Sequence, residues 1–98
     1  YIDSLSADEQ QIIISNDRRK WGRVVTVITF EGNIDANLKD ILTQAKKKCA
    51  SGGTVRGNLI ELQGDHKFKL KKFLIDLGFP EENIIIRQGM MTKPYRKR

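Results

Sequence analysis

Four cations, Arg18, Arg19, Lys20 and Arg23, surround the only tryptophan, Trp21, in the run SNDRRKWGR at residues 15–23. Guanidinium and ammonium groups satisfy phosphate oxygens, and an indole face stacks on an unpaired base, so this is the chemistry of a nucleic-acid contact. The cluster lies between two apolar runs, where a chain ordinarily makes a short turn. For the cations together, a functional reading outweighs a merely solubilising one, because crowded like charges repel. Trp21 has two open readings: a stacking surface, or a ring folded back on its own hairpin.

Further basic groups follow. At ~100° per residue, Lys39 and Lys46 share one flank of a first helix, while Lys67, Lys71 and Lys72 line the outer side of a second. Phe68 and Ile75 point outward among those lysines, an apolar pair on a charged face. Any single lysine reads better as part of a solvated helix face. The tail KPYRKR adds Lys93, Arg96, Lys97 and Arg98, either as RNA contacts or as an unstructured extension.

Catalytic chemistry fares badly. His66 is the only histidine and Cys49 the only cysteine, so a Ser–His or Cys–His couple has one base to draw on. Cys49 falls on an apolar helical stripe, where it reads as a small hydrophobe. One Cys and one His are too few soft ligands for zinc. Gly52-Gly53 lacks the Gly-Lys-Ser/Thr that completes a phosphate loop. The chain reads as no enzyme, with no cofactor and no metal.

The elements that must position these groups follow from periodicity. Ninety-eight residues, 39% hydrophobic and 31% charged, describe one globular domain. The net charge is +6, with −3 in the first fifteen residues, so the remainder carries +9 and suits a polyanion partner. No apolar run approaches the ~18 residues of a membrane span. The acidic start lacks a secretory pattern, and one cysteine suits a reducing compartment, so the chain reads as cytoplasmic. Residues 1–9 read as a loose acidic arm, 10–89 as the domain and 90–98 as a basic tail.

Residues 11–15 and 24–30 are β-branched and should pair as an antiparallel hairpin across about eight loop residues. Leu38, Ile41, Leu42, Ala45 and Cys49 then fall at helical spacing, with Asp35 as the expected cap and Ser51-Gly52-Gly53 as the stop. Residues 54–56 and 59–63 flank Gly57-Asn58, a tight-turn pair. A second helix, capped by Asp65, carries Leu70, Phe73, Leu74 and Leu77 and ends at Gly78 and Pro80. Residues 83–87 form a last strand. The order β-β-α-β-β-α-β gives an α+β two-layer sandwich, with the second helix linking parallel strands.

The stretch GGTVRGNLIELQGDHK, residues 52–67, closely resembles the signature of the translation initiation factor 1 family of archaea and eukaryotes. KKKCASGG before it and FLIDLGF after it agree in order and spacing, and the likeness spans residues 11–87. Many members carry Arg where this chain has Lys67, which keeps the charge and loses the fork. The short acidic start looks archaeal. The resemblance implies a mixed five-strand sheet with two helices on one face. It also implies binding to small ribosomal subunit RNA near the decoding site, enforcing start-codon fidelity by opposing mismatched initiator tRNA. Carried onto this chain, Arg18, Arg19, Lys20, Trp21 and Arg23 would approach mRNA and initiator tRNA, and Lys39, Lys46 and Lys47 would lie on ribosomal RNA. Other initiation factors are implied partners, and the protein is expected to act as a monomer. Gly52, Gly53, Gln63, Gly64 and Asp65 read as structural: Gly64 permits a strand-to-helix bend that Asp65 caps.

A rival reading makes the chain a protein-interaction module of the same fold, docked on a larger translation or recycling factor. It rests on Phe68, Ile75 and the unusually apolar strand cores Ile12–Ile14 and Ile84–Ile86, more hydrophobic than a one-sided sheet needs.

Overall fold

The computed structural model describes residues 10–32 and 36–90, the side chains of 88–90 excepted. Strand β1 (Gln11–Arg18) pairs antiparallel with β2 (Val24–Glu31), helix α1 (Leu38–Cys49) leads to the hairpin β3 (Gly53–Arg56) and β4 (Leu59–Gln63), and α2 (Lys67–Leu77) leads to β5 (Ile84–Met90). The sheet order is β3-β4-β2-β1-β5, with β5 parallel to β1 and every other pairing antiparallel. β4 and β5 therefore run the same way, as the α2 crossover requires. This is the expected α+β architecture.

Period-2 alternation decides which face is covered. Ile12 and Ile14 on β1, Ile28 and Phe30 on β2, Ile60 and Leu62 on β4 and Ile84 on β5 are buried against Ile41, Ala45 and Cys49 of α1 and Leu70, Phe73 and Leu74 of α2. Ile13 and Ile85 lie side by side on the other, helix-free face, where Ile85 remains 40% exposed. The surplus apolar residues of β1 and β5 thus lie on the face without helices, where Ser15 and Val27 are nonetheless buried.

Two local expectations are corrected. The cap of α1 is Asn37, whose Oδ1 accepts the Asp40 amide at 3.2 Å; Asp35 itself lies outside the described residues. Helix α1 starts where its apolar stripe starts, at Leu38, and a cap must immediately precede that point. The left-handed residue that ends α1 is Ala50, φ 51°, rather than a glycine. Its amide reaches the Lys46 and Lys47 carbonyls, and that closure outweighs the Cβ penalty, on the order of 1 kcal/mol. Gly53 instead meets a close approach: a Cβ there would sit 2.5 Å from the Glu61 carbonyl oxygen and 2.7 Å from Leu62 Cδ2.

Asp65 stands one residue before the cap position of α2, which is His66, yet its carboxylate accepts the Lys67 amide of the first turn. This turn is tied to β2 by a polar knot. Thr26, fully buried, donates its hydroxyl to the Gly64 carbonyl at 2.6 Å and accepts the His66 amide at 2.9 Å. The Gly64 amide donates to the Val24 carbonyl at 2.8 Å, and His66 Nε2 meets the Gln63 carbonyl at 2.7 Å. Gly64 has φ 99°, and a Cβ would stand 2.8 Å from His66 Nε2, so the bend needs glycine.

Thr26→Val keeps the shape and deletes the hydroxyl, leaving the Gly64 carbonyl and His66 amide without their partner. The expected cost is about 1–3 kcal/mol, read as a lower urea midpoint with native circular dichroism retained. An unchanged midpoint would contradict the knot's role.

Candidate nucleic-acid interface

Strand β1 runs three residues further than expected, and Arg18 still pairs with Val24. The connection is therefore only residues 19–23, a tight turn through Lys20–Gly22. Arg19 N–H donates to the Arg23 carbonyl at 2.6 Å across it. β4 reaches the ladder only as far as Val25, and β5 only as far as Asn16. The turn consequently stands past the end of the sheet.

The tip cations are not equivalent. Arg19 bridges Asp17 at 3.0 Å and Glu61 on β4 at 2.6 Å, so its charge is spent on bracing the turn. Arg18, Lys20 and Arg23 are exposed and make no ion pair among the described residues. Trp21 is 90% exposed, which settles its two readings against folding back. It also has φ 66°, the left-handed well that costs a side chain with Cβ roughly 1–2 kcal/mol. Arg19, Lys20, Trp21 and Arg23 line an open cavity of about 350 Å³.

Topology decides what joins this tip. β2 leaves it, α1 runs back, and Gly53 pairs with Leu62, itself opposite Thr26. The last turn of α1, with exposed Lys46, Lys47 and Lys48, therefore lies toward the tip end. Lys48 joins Lys46 and Lys47 at this negative end of the helix dipole. Lys39 belongs to the first turn of α1 and so to the opposite end, about 10 Å from Lys46 along the axis. Lys47 faces a groove between the helices, of about 450 Å³, lined also by Phe73 and Asp76. The Cys49 thiol is buried as expected, and burial pushes its pKa up, against Lys69 and Lys48.

The α2 lysines divide three ways. Lys67, expected to face outward, is buried, its Nζ 3.1 Å from Asp65 Oδ1. Here the turn must bury a cation to hold its carboxylate, which overrides the helical-face arithmetic. Lys71 is half-buried and pairs with Glu81 at 3.5 Å. Lys72 is exposed, and Phe68 and Ile75 point outward, at 65% and 36% exposure. Lys93, Arg96, Lys97 and Arg98 lie outside the described residues; the β5 strand that precedes them runs toward the tip end.

The signature residues serve the scaffold. Gly52 gives its carbonyl to the Gln63 amide at 3.0 Å, beside the Gly53 contact and the Gly64 bend. Asp65 takes a hydrogen bond from the buried Asn16 side chain, which holds its carboxyl below the usual carboxylate range; Lys67 acts in the same direction and burial against it. Asn16 and Thr26 were the residues that sequence reading missed. Their only signal is a polar pair at an inward register on two apolar strands.

Comparison with known proteins follows the geometry. Residues 8–80 match the family model described as translation initiation factor SUI1. The chain belongs to the SUI1 family. It is 46% identical to a protein named translation factor SUI1 homolog of Aeropyrum pernix, over 86% of this chain and 83% of that one. The homolog of Ignicoccus hospitalis is 49% identical, covering 86% and 82%. That of Methanothermobacter thermautotrophicus is 38% identical, covering 87% and 84%. SUI1 membership makes this an archaeal-type translation initiation factor. No helix among the described residues is long and apolar enough to cross a membrane.

Because the folded Asp65 pKa is lowered, its contribution is full above the unfolded value and fades as pH falls through the folded one. Asp65→Asn should therefore be less stable than the parent at neutral pH, with the gap closing below about pH 4. Urea midpoints across pH measure this; a gap that does not narrow in acid would refute it.

Proposed function

We propose that this SUI1 protein seats its hairpin end on small ribosomal subunit RNA near the decoding site. From there it opposes accommodation of an initiator tRNA that is wrongly paired. The observation that carries this reading is the set of exposed cations, Arg18, Lys20 and Arg23, without an ion pair among the described residues, on a braced turn beyond the sheet. Phosphate contacts give affinity without reading sequence, which suits a factor that must bind every initiation complex. A stiff tip occupying space that a settled tRNA needs is displaced only when codon–anticodon pairing supplies the energy. Discrimination is then a difference between two binding energies. The work is done by contact and obstruction, with no bond made or broken, and the site of action is cytoplasmic.

Four acids offset the cations Lys39 and Arg56 at the other end of the molecule. Glu31, Asp40, Glu81 and Glu82 are all exposed there, at the ends of β2 and α2 and the start of α1. Approach to RNA with the tip leading lowers the energy, and the reverse approach raises it.

A second reading has its own observation: Ile85, 40% exposed, beside Ile13 on the sheet face without helices suits an apolar partner surface on another translation factor. Its binding would ignore salt and fail with Ile85→Asp.

Co-sedimentation with isolated small subunits separates the two. Neutralising about five phosphates gives a slope of log affinity against log salt near −4. Replacing Arg18, Lys20 and Arg23 together by alanine should flatten it by about 2 to 3. The same variant should raise initiation at near-cognate codons in a reconstituted assay. Unchanged slope and unchanged codon choice would remove the tip from the mechanism.

A further inference from the structure

Trp21 combines two unfavourable features at one position. Its indole is 90% exposed, and its backbone sits in the left-handed region at φ 66°, ψ 21°. Neither helps the fold: no residue of this turn is buried, and Trp21 takes part in no ring contact among the described residues. The neighbours make the ring harder to explain as a loose end. The Arg19 amide closes the turn on the Arg23 carbonyl, and the Arg19 guanidinium fastens it to Asp17 and Glu61. The indole is thus displayed by a turn that is tied at its base.

Its surroundings specify what fits. The cavity beside the ring, about 350 Å³, is lined otherwise, among the described residues, only by Arg19, Lys20 and Arg23. An apolar protein side chain would gain the ring but would have to sit among cations. A lipid surface would want more than one apolar residue at the tip, and Trp21 has no exposed apolar neighbour within its turn. A flat π system carrying a phosphate satisfies both halves of the site. Bases in a duplex hide their faces, so the ligand must be unpaired.

Resting on the initiation-factor reading above, we propose that Trp21 is a stacking platform for one unpaired RNA base, with Lys20 and Arg23 holding the flanking phosphates. The site takes single-stranded or flipped-out nucleotides of any sequence, since every base has a π face. It divides the work at the tip. The cations supply a salt-sensitive grip, and the indole adds a component that salt leaves alone and that requires an unpaired base.

The chain has one tryptophan, so its fluorescence reports this residue alone. The 98-residue chain is titrated with a single-stranded RNA hexamer, a duplex of equal phosphate count, inorganic polyphosphate, and anionic phosphatidylserine vesicles. The hexamer should quench Trp21 strongly, with the duplex and polyphosphate binding under salt control but quenching little. By anisotropy of a labelled hexamer, Trp21→Ala should weaken binding about tenfold or more while leaving the salt slope intact, and Trp21→Phe should restore much of it. Lys20→Ala should do the reverse, reducing the slope and leaving the quench at saturation. Equal quenching by duplex or polyphosphate, a larger spectral shift with vesicles, or unaltered hexamer affinity in Trp21→Ala would each overturn the proposal. Thermal melts of both tryptophan variants confirm the fold, which a fully exposed side chain should not alter. Loss of stacking with subunit sedimentation intact refutes this proposal alone. Failure of the parent protein to sediment with subunits refutes the functional reading instead.

Discussion

One buried hydroxyl holds together the parts that matter here. Thr26, in the middle of the sheet, accepts from the turn that starts α2 and donates to the carbonyl of Gly64 in the same turn. Through it the β4–α2 connection is fastened to the base of the β1–β2 hairpin, and Gly64 adds a backbone bond to Val24. Buried polar groups are costly unless satisfied, so a knot of this kind admits few alternative registers. The consequence is felt about 10 Å away, three residues beyond Asn16, the partner of Thr26 on β1. With β4 locked against β2, Glu61 is in place to receive Arg19, and Arg19 keeps the turn closed. The stiffness of the basic tip is built from the signature of the second half of the chain.

That relation accounts for the run from Gly52 to Lys67. It bears the most specific sequence pattern in the molecule, yet several of its residues are engaged within the fold. Gly53 lets β3 pass close to β4, Gly64 takes a backbone angle denied to other residues, and Asp65 is held by Asn16 and Lys67. A charged residue in a recognisable pattern invites assignment to a binding surface. For Lys67 the structure gives the opposite answer, because its ammonium is consumed by the carboxylate beside it.

Much of this is legible in the amino-acid sequence. The alternation in β1, β2 and β4 and the 3.6-residue stripes of Ile41–Ala45–Cys49 and Leu70–Phe73–Leu74 determine layers and core, since burial enforces both periods. The tip cluster was visible as charge density around Trp21. What escaped were contacts between residues distant in sequence. Nothing local says that Arg19 would meet Glu61, or that Asn16 and Thr26 would face each other inside an apolar sheet. The helix ends escaped for a different reason. Several residues near each end can cap, and the choice among Asp35 and Asn37, or Ala50 and Gly52, is made by where the buried stripe stops. Trp21 could be read only as open, because exposure is a property of the closed turn and not of the residue.

In the molecule that results, exposed cations stand at the hairpin end, while Glu31, Asp40, Glu81 and Glu82 share the other end with Lys39 and Arg56. The most direct measurement of that claim is directed cleavage of ribosomal RNA from a tethered iron chelate. Cys49 is buried, its thiol pushed up in pKa, so a single surface cysteine can be labelled selectively. Chelate on Lys20→Cys should cut small-subunit RNA close to the decoding site, and chelate on Glu82→Cys should cut it weakly or not at all. Equal cleavage from both positions, or stronger cleavage from Glu82→Cys, would contradict the account.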